Sequence, residues 1–432
     1  MTPPPSPPAT GGEPWSGTSK PGSFPPDVRL VGFANRTPLR DALAWIDAHA
    51  GVVVSETIAI EDAAGRISAA PVISRMDWPN ADRAGVDGYA MRAADSEGAG
   101  DYNPLPLTLA DMRSTEALPP GSVSLATTGT PLPSGADAIL PFEAAHQSGP
   151  GMLDVSAPVA RGTGVDRRGS ELGAETEAVA GSKRLRPQDI ALLAGIGATR
   201  VAVLRKPLVR LVVAGPKAAE PDALTPMLRA LIARDGGIGE SAPSASRRDD
   251  DQTTLAQAVV RSIAGADLVL VAGRSGTGLD DEAPLAITQA GGTLDMHGIA
   301  LRPGESAGLG LIGDVPVLLL PGAPLACLVA YDVLAARTVR RLAGFPLSLA
   351  YPVVDATLDR KIVSAIGFTD LVRVRMARGR AAPLGSADQG GLASAVRADG
   401  FVIVPETSEG YPPGSSVRVH LYEDQRGELP HE

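Results

Sequence analysis

The stretch DLVLVAGRSGTGLDD, residues 267–281, carries the strongest indication of the fold. Its apolar run predicts a buried strand, and the glycines after it predict a loop. Backbone N–H groups in such a loop can hold a phosphate or another oxyanion, and Asp280 and Asp281 at its far end could hold a divalent cation beside that anion. Equally, the glycines could serve the turn alone, with the two acids capping a helix that has Pro284 in its first turn. The loop matches neither the Walker A nor the dinucleotide-binding pattern.

Strands and helices alternate on both sides of this stretch. Residues 208–214 form a continuous apolar run of strand length, and residues 315–322 form another. Apolar residues at helical spacing occur in 224–231 and 254–263, around Leu285, and up to Leu342. This alternation predicts a doubly wound parallel α/β domain over residues 206–346. Such sheets bind ligands beyond the carboxyl ends of their strands, where glycine-bearing loops occur around Gly215, residues 273–278, Gly304 and Gly322.

The other segments have different patterns. Residues 1–27 are dominated by Pro, Gly and Ser and predict a disordered tail. A helix is predicted from the N-cap Thr37 with Pro38 at its first position, followed by a strand over residues 52–60. Residues 66–160 predict an all-β subdomain. Its cue is a pair of strands, 122–127 and 138–142, joined by a turn-rich segment. Short strands return over residues 347–424 and predict a C-terminal β-barrel or sandwich, and residues 425–432 form a tail.

Composition argues against several binding partners and structural features. The 432 residues carry a formal net charge of -10, which argues against broad binding of nucleic acid or anionic membranes. The single cysteine, Cys327, lies in an apolar run and excludes an internal disulfide, and there is no Cys/His zinc pattern. No apolar run is long enough to span a bilayer, and the N-terminus lacks a signal-peptide pattern. A cytoplasmic location is the expectation.

Several charged groups are candidates for binding. In DRAGVDGYAMR, residues 82–92, Asp87 lies in a glycine-flanked loop and serves either a tight turn or a ligand. Arg302 could clamp a phosphate, or be a solvated surface residue. The acids in residues 246–251 suit a helix N-terminus, or a metal. The pair Arg167 and Arg168 beside Glu171 indicates a solvated loop, or an anion site.

Taken in order, several stretches resemble one family, the molybdopterin molybdenumtransferases or MoeA family, to which the E domain of gephyrin also belongs. The resemblance covers residues 35–424. Two of these stretches, DGYA and TGxPLPxGAD, are specific for the family when they occur together, and the remaining stretches give additional support. The stretches are PNADRAGVDGYAMR (79–92), TGTPLPSGAD (128–137), RRGSE (167–171), residues 267–281, RPG (302–304), LPGAP (320–324) and GFVIVPE (400–406).

The resemblance implies an architecture of four parts. The doubly wound domain would be a molybdopterin-binding domain of the MoaB/Mog type. Residues 66–160 would form a β-rich arm, residues 28–65 and 161–205 a discontinuous central linker domain, and residues 347–424 a β-barrel-like domain. Members of the family are elongated homodimers with the active site between subunits.

The resemblance also implies a function. Adenylylated molybdopterin and molybdate would be the substrates, AMP would be released with the help of Mg²⁺, and molybdenum would remain on the dithiolene. The family's catalytic positions match Asp87, Thr128 and Glu171. Its metal-binding acids match Asp249 or Asp250, and Asp281. Its cofactor-binding positions match Gly273, Ser275, Gly276, Gly278, Arg302, Pro321 and Pro324. Proteins that receive the molybdenum cofactor are expected partners beside the pterin ligand.

The chain also departs from the family pattern. A Gly-Asp-Glu motif is replaced by Gly215, Pro216 and Lys217, and a Lys-Pro-Gly-Lys motif ends here in Glu305. Ala323 stands where the family has Asn. Losing acids and a cation in a site for anions should cost transition-state stabilisation. An enzyme with a redistributed site is therefore one hypothesis. A relative without turnover that carries molybdopterin or its metal form is the second, and a scaffold is the third.

Overall fold

A computed structural model describes residues 27–110, 117–214, 221–242 and 254–423. Most of the predicted N-terminal tail, the tail after residue 424, the stretch around Lys217, and both Asp249 and Asp250 lie outside these residues. The chain divides into two compact units. The first comprises residues 1–54 and 204–432, and the second residues 55–203.

The first unit is built on a six-stranded mixed sheet. Four strands run parallel in the order Ile238–Ser241, Leu208–Val213, Leu268–Ala272 and Val315–Leu320. Two antiparallel strands, Gly308–Ile312 and Thr293–His297, extend the sheet past Val315–Leu320. A strand before Ala300 was predicted and is Thr293–His297, whereas Gly308–Ile312 was not predicted. The signal that could have revealed Gly308–Ile312 is the Gly313-Asp314 pair between Ile312 and Val315, since a two-residue loop with glycine at positive φ closes a hairpin.

Helices cover both faces of this sheet, as the doubly wound prediction requires. One face carries Leu39–His49, Leu224–Arg234, Pro324–Ala330, a π-helical turn Tyr331–Ala335 and Ala336–Leu342. The other face carries Leu255–Ile263 and Ala283–Gln289. Leu268 and Leu270 face the first layer, whereas Val269 and Val271 face the second. The strand is buried on both sides, which explains its unbroken apolar sequence.

The helix Leu39–His49 packs against the core of the first unit. The sequence groups it with residues 161–205, but Ala42, Trp45 and Ile46 are buried in the same core as Leu211 and Leu228 of the doubly wound domain. The helix starts one residue later than predicted, with Pro38 preceding it.

The C-terminal strands of the first unit close into a barrel. Five strands follow one another around it, and the first also pairs with the last. The short strand Leu301–Arg302 adds to its side, parallel to the first barrel strand. A helix, Gly391–Arg397, precedes one of the strands. The five barrel strands are, in spatial order, Thr369–Ala377, Arg380–Pro383, Val353–Leu358, Ser416–Leu421 and Gly400–Val404.

The second unit contains a six-stranded β-sheet, as the all-β prediction expects. Its order is Ala138–Pro141, Gly88–Met91, Ser122–Ala126, Leu105–Leu109, Met152–Val155 and Ala145–Gly149. The expectation that 122–127 and 138–142 form a pair is wrong, because Gly88–Met91 lies between them and bonds to both. The strand expected over 52–60 is shorter, Ser55–Ala59, and pairs with Arg200–Leu204. The helix Pro187–Gly195 completes the larger elements of this unit.

Candidate functional site

Two neighbouring loops leave the parallel sheet at the same edge. Because Ala272 and Leu320 are paired in adjacent parallel strands, Gly273 and Pro321 begin their loops side by side. Gly273 has φ of +96°, and a Cβ atom there would lie 2.3 Å from the Ala214 carbonyl oxygen. A Cβ on Gly322 would lie 3.2 Å from the Cα of Gly273. The two loops therefore meet backbone to backbone, which requires glycine.

These loops form part of a cleft of about 580 Å³ in the first unit. The volume is within the range of sites for small molecules. Of the residues predicted to bind cofactor or metal, the cleft is lined by Ser275, Gly276, Asp281 and Pro321. Gly273, Gly278, Arg302 and Pro324 are not among its lining residues.

The loop over residues 273–281, the glycine loop, is folded around a carboxylate. Oδ2 of Asp281 accepts a hydrogen bond of 2.6 Å from the Gly278 N–H. A Cβ on Gly276 would lie 2.8 Å from the same oxygen. One oxygen of Asp281 therefore shapes its own loop, as the turn interpretation expects, but the predicted capping is wrong because the helix Ala283–Gln289 has no side-chain cap.

A buried serine anchors the same loop from below. Ser275 is 1% exposed, and its hydroxyl contacts the Ser306 hydroxyl at 3.2 Å and donates to the Leu320 carbonyl at 3.3 Å. Nε2 of His297 lies 2.8 Å from the Ser275 carbonyl oxygen and donates to it. Burial lowers the pKa of His297, which favours the neutral ring. The neutral ring needs its proton on Nε2 to make this bond.

Arg302 is directed at a protein carboxylate. Its Nε and Nη2 atoms donate to the two oxygens of Asp370, both at 2.7 Å, and Asp370 is 2% exposed. Its guanidinium also lies over the Phe368 ring, 4.5 Å from the centroid. Two donors expected for a phosphate are therefore engaged by the protein, because the strand pairing places Asp370 directly opposite Arg302.

Two arginines that were not named as candidate site residues also line the cleft. Arg36 forms a salt bridge with Glu305, and Arg274 pairs with Glu282. Arg274 lies within the glycine loop that the sequence indicated, whereas Arg36 is recognisable as a cleft residue only from its place in the fold.

Phe33 and Asp388 are further lining residues that sequence reasoning missed. Phe33 lies beside Arg36. Asp388 lies in the loop before the helix Gly391–Arg397, and burial raises the pKa of its carboxyl. These side chains come from segments far apart in sequence, so only the folded chain brings them together.

In the second unit, Asp87 is held by Thr128. Oδ1 of Asp87 accepts hydrogen bonds from the Thr128 N–H at 2.7 Å and from the Thr128 hydroxyl at 2.9 Å. These bonds lower the pKa of Asp87, the backbone bond most strongly. Within the part of the chain that the structure describes, no hydrogen bond to Oδ2 occurs. The structure thus pairs two of the three predicted catalytic residues and leaves a carboxylate oxygen exposed.

The third predicted catalytic residue, Glu171, is engaged by Arg83. Nη2 of Arg83 donates to Glu171 at 2.8 Å, and its Nε lies 3.4 Å from Asp166. The guanidinium also lies 5.3 Å from the centroid of the Trp78 ring. Arg83 was not predicted, although it stands five residues before the strand that carries DGYA.

The predicted metal ligands are only partly described. Asp249 and Asp250 lie outside the described residues, and Asp281 is described above. In residues 27–110, 117–214, 221–242 and 254–423, no group of three His, Cys, Asp or Glu side chains has the arrangement of a metal site. In the same residues, no helix is long and apolar enough to cross a membrane.

Comparison with known proteins gives three family matches in series. Residues 37–197 match the MoeA N-terminal region (domain I and II), residues 209–341 match a "Probable molybdopterin binding domain", and residues 355–422 match the MoeA C-terminal region (domain IV). Together the matches contain most of the cleft and the Asp87–Thr128 pair.

Relatives of similar length support the same relationship. The chain is 23% identical over 423 residues to a molybdopterin molybdenumtransferase of Staphylococcus aureus, covering 92% of this chain and 99% of that protein. It is 27% identical over 318 residues to molybdopterin molybdenumtransferase 2 of Mycobacterium tuberculosis, covering 67% and 76%. The crystal structure of a molybdopterin biosynthesis MoeA protein from Pyrococcus horikoshii superposes with a TM-score of 0.75 at 29% identity, covering 90% of this chain and 100% of that one.

Proposed function

The chain belongs to the MoeA family, and from that premise we propose that it is a molybdopterin molybdenumtransferase of molybdenum cofactor biosynthesis. The observation that carries the proposal is the series of three family matches along one chain, with most of the glycine-loop cleft inside the molybdopterin-binding match. The substrates would be adenylylated molybdopterin and molybdate, and the products AMP and the molybdenum form of the cofactor.

The reaction requires cleavage of a phosphoanhydride. Water would add to phosphorus, the P–O bond of the anhydride would break, and AMP would leave. The two thiolates of the dithiolene would replace oxygen ligands of molybdate, which leave as water after protonation. Asp87 suits a role in handling a proton or a polar ligand, because Thr128 fixes one of its oxygens and leaves the other exposed.

A divalent cation fits this chemistry, since Mg²⁺ is commonly held by one or two carboxylates together with substrate phosphates. Asp281 in the cleft wall would be one such carboxylate, and Asp249 and Asp250 are the other predicted ligands. When bound, the ion would neutralise charge on the phosphates. The residues of two subunits would complete the site in a homodimer, as the family resemblance implies.

The test is release of AMP by the purified protein from adenylylated molybdopterin, with and without molybdate and Mg²⁺. Asp87→Asn should lower kcat at least about tenfold while preserving the melting temperature, because Asn can still accept from Thr128 but lacks the charge. Asp154→Asn is the matched control, since Asp154 accepts from Ser148 in an outer strand of the same sheet.

Molybdate-dependent AMP release by the wild type, reduced in Asp87→Asn and unchanged in Asp154→Asn, would support the proposal. Pterin binding without AMP release would instead indicate a carrier. Absence of both would exclude a role in this reaction. Loss of activity on chelation of divalent cations, restored by Mg²⁺, would support the metal.

A further inference from the structure

A segment at the beginning of the described chain, residues 28–36, forms one wall of the cleft. We name it the N-terminal strap. The Leu30 N–H donates to the Thr277 carbonyl in the glycine loop at 2.8 Å. Phe33 packs edge-to-face on His297, with 5.0 Å between ring centroids. A Cβ on Gly298 would lie 2.5 Å from the Phe33 ring, so the glycine makes room for it. The strap precedes residue 37, where the first family match begins.

Arg36 is the last residue of the strap, and its side chain lines the cleft. Its Nε atom donates to Oε2 of Glu305 at 2.9 Å, and its Nη2 atom lies 2.8 Å from the same oxygen in the ion pair. Its Cζ atom lies 5.8 Å from the centroid of Phe33 and 5.3 Å from that of Phe368. Nη1 makes only a long bond of 3.4 Å to the Phe33 carbonyl. The aromatic rings hold the plane of the guanidinium, and donors on Nη1 and Nη2 remain.

The three guanidiniums in and beside the cleft differ in their freedom. Arg302 is locked, because its carboxylate partner Asp370 is almost fully buried. The partners of Arg36 and Arg274 are accessible, with side-chain exposures of 32% for Glu305 and 45% for Glu282. An ion pair in contact with solvent is weak and can exchange its anion. Arg36 also lies within about 6 Å of the centroids of two aromatic rings, Phe33 and Phe368.

We infer that Arg36 binds the phosphate of the pterin ligand, and that Glu305 holds the guanidinium in position until the phosphate replaces it. A phosphate can accept two charge-assisted hydrogen bonds from the planar fork, whereas Glu305 meets it through one oxygen, and a phosphate monoester also carries more charge than a carboxylate. The inference rests on the proposed function, because it takes the cleft to be the pterin site. It assigns recognition of the phosphate to a residue outside all three family matches.

The test measures binding of molybdopterin and of its dephosphorylated form under anaerobic conditions, by titration calorimetry. The variants are Arg36→Met, Arg36→Lys and Glu305→Gln. Arg40→Met is the matched control, because Arg40 is a nearby arginine whose side chain is 74% exposed and does not line the cleft. Melting temperatures show whether each variant is folded.

Arg36→Met should weaken molybdopterin binding about tenfold or more and leave binding of the dephosphorylated form unchanged. Arg36→Lys should fall between wild type and Arg36→Met, since a point charge cannot form the fork. Glu305→Gln should bind molybdopterin more tightly than wild type, because the competing carboxylate charge is gone. This opposite effect of the two members of one ion pair distinguishes phosphate binding from a purely structural pair.

Equal weakening of both ligands in Arg36→Met would overturn the inference and make Arg36 a structural wall residue. Equal affinity of the wild type for molybdopterin and its dephosphorylated form would also overturn the inference. That result would not contradict the proposed function. A wild-type protein that binds neither form would overturn the proposed function, and the assignment of Arg36 with it. If Arg36→Met does not fold, the other two variants provide the test. Weaker molybdopterin binding in Arg36→Lys and tighter binding in Glu305→Gln, each relative to wild type, would support the inference, and any other order of affinities would overturn it.

Discussion

The glycine loop and the DGYA loop both combine glycines with an aspartate, but they use the aspartate differently. In the glycine loop, Asp281 accepts from the Gly278 N–H of its own loop. In the DGYA loop, Asp87 accepts two bonds from Thr128, 41 residues away, through one oxygen. One carboxylate therefore shapes its own backbone, whereas the other is fixed by a different segment and presents an oxygen. Similar local sequences give different roles because the partner is local in one case and distant in the other.

The largest expected effect is on the glycine loop. Gly273→Ala should destabilise the first unit by about 3 kcal/mol or more, because it combines positive φ with a clash against the Ala214 carbonyl. Gly291→Ala is the control, since Gly291 has φ of +81° but no atom within 4 Å of an added Cβ. It should cost about 1–2 kcal/mol. Urea unfolding measures both, and equal costs would show that the clash relaxes.

The DGYA loop has a corresponding pair of glycines. A Cβ on Gly88 would lie 2.3 Å from the Leu140 carbonyl oxygen, whereas a Cβ on Gly85 would meet first the Asp166 side chain, at 2.9 Å. Gly88→Ala should therefore cost about 2–3 kcal/mol, and Gly85→Ala no more than about 1 kcal/mol, since a side chain can move. Thermal unfolding of the two variants would test this order, and a reversal would contradict the crowding argument.

The two aspartates themselves test the comparison directly. Asp281→Ala should lower the free energy of unfolding by about 1 kcal/mol, because the Gly278 N–H loses its acceptor. Asp87→Ala should lower it by less than Asp281→Ala does, because Asp87 and Thr128 are exposed and water can replace the bonds. Urea unfolding of both variants gives the comparison. A larger loss in Asp87→Ala would mean that this carboxylate is also a structural group.

The smallest effect concerns Asp388. Burial raises the pKa of its carboxyl, so the folded state binds the proton more tightly than the unfolded state. Its contribution to stability is therefore present below the ordinary pKa of Asp, about 3.9, and is lost as the pH rises through the raised pKa. Asp388→Asn should be more stable than wild type at pH 7, by at most about 0.5 kcal/mol. The two should converge below about pH 4 in a series of thermal melts; a less stable variant at pH 7 would contradict the sign.

The sequence by itself determined the architecture. Unbroken apolar runs between helical segments led to the doubly wound sheet, because a strand buried on both faces has no polar alternation. The same runs indicated the edge at which the cleft lies. Motif order identified the family, and with it Asp87 and Thr128 as candidate catalytic residues. These features depend on local pattern or on short stretches of specific text, which can be read without coordinates.

Tertiary structure decided which charges are available to a ligand. Nothing local indicates that Arg302 faces Asp370, that Glu305 faces Arg36, or that Gly88–Met91 lies between two strands predicted to pair. Each depends on segments brought together from distant parts of the chain, and an electrostatic interaction depends on distance and burial rather than on residue type alone. Some charges of the cleft, such as Asp281, were therefore named from the sequence, whereas Arg36 and Asp388 were recognised only in the fold.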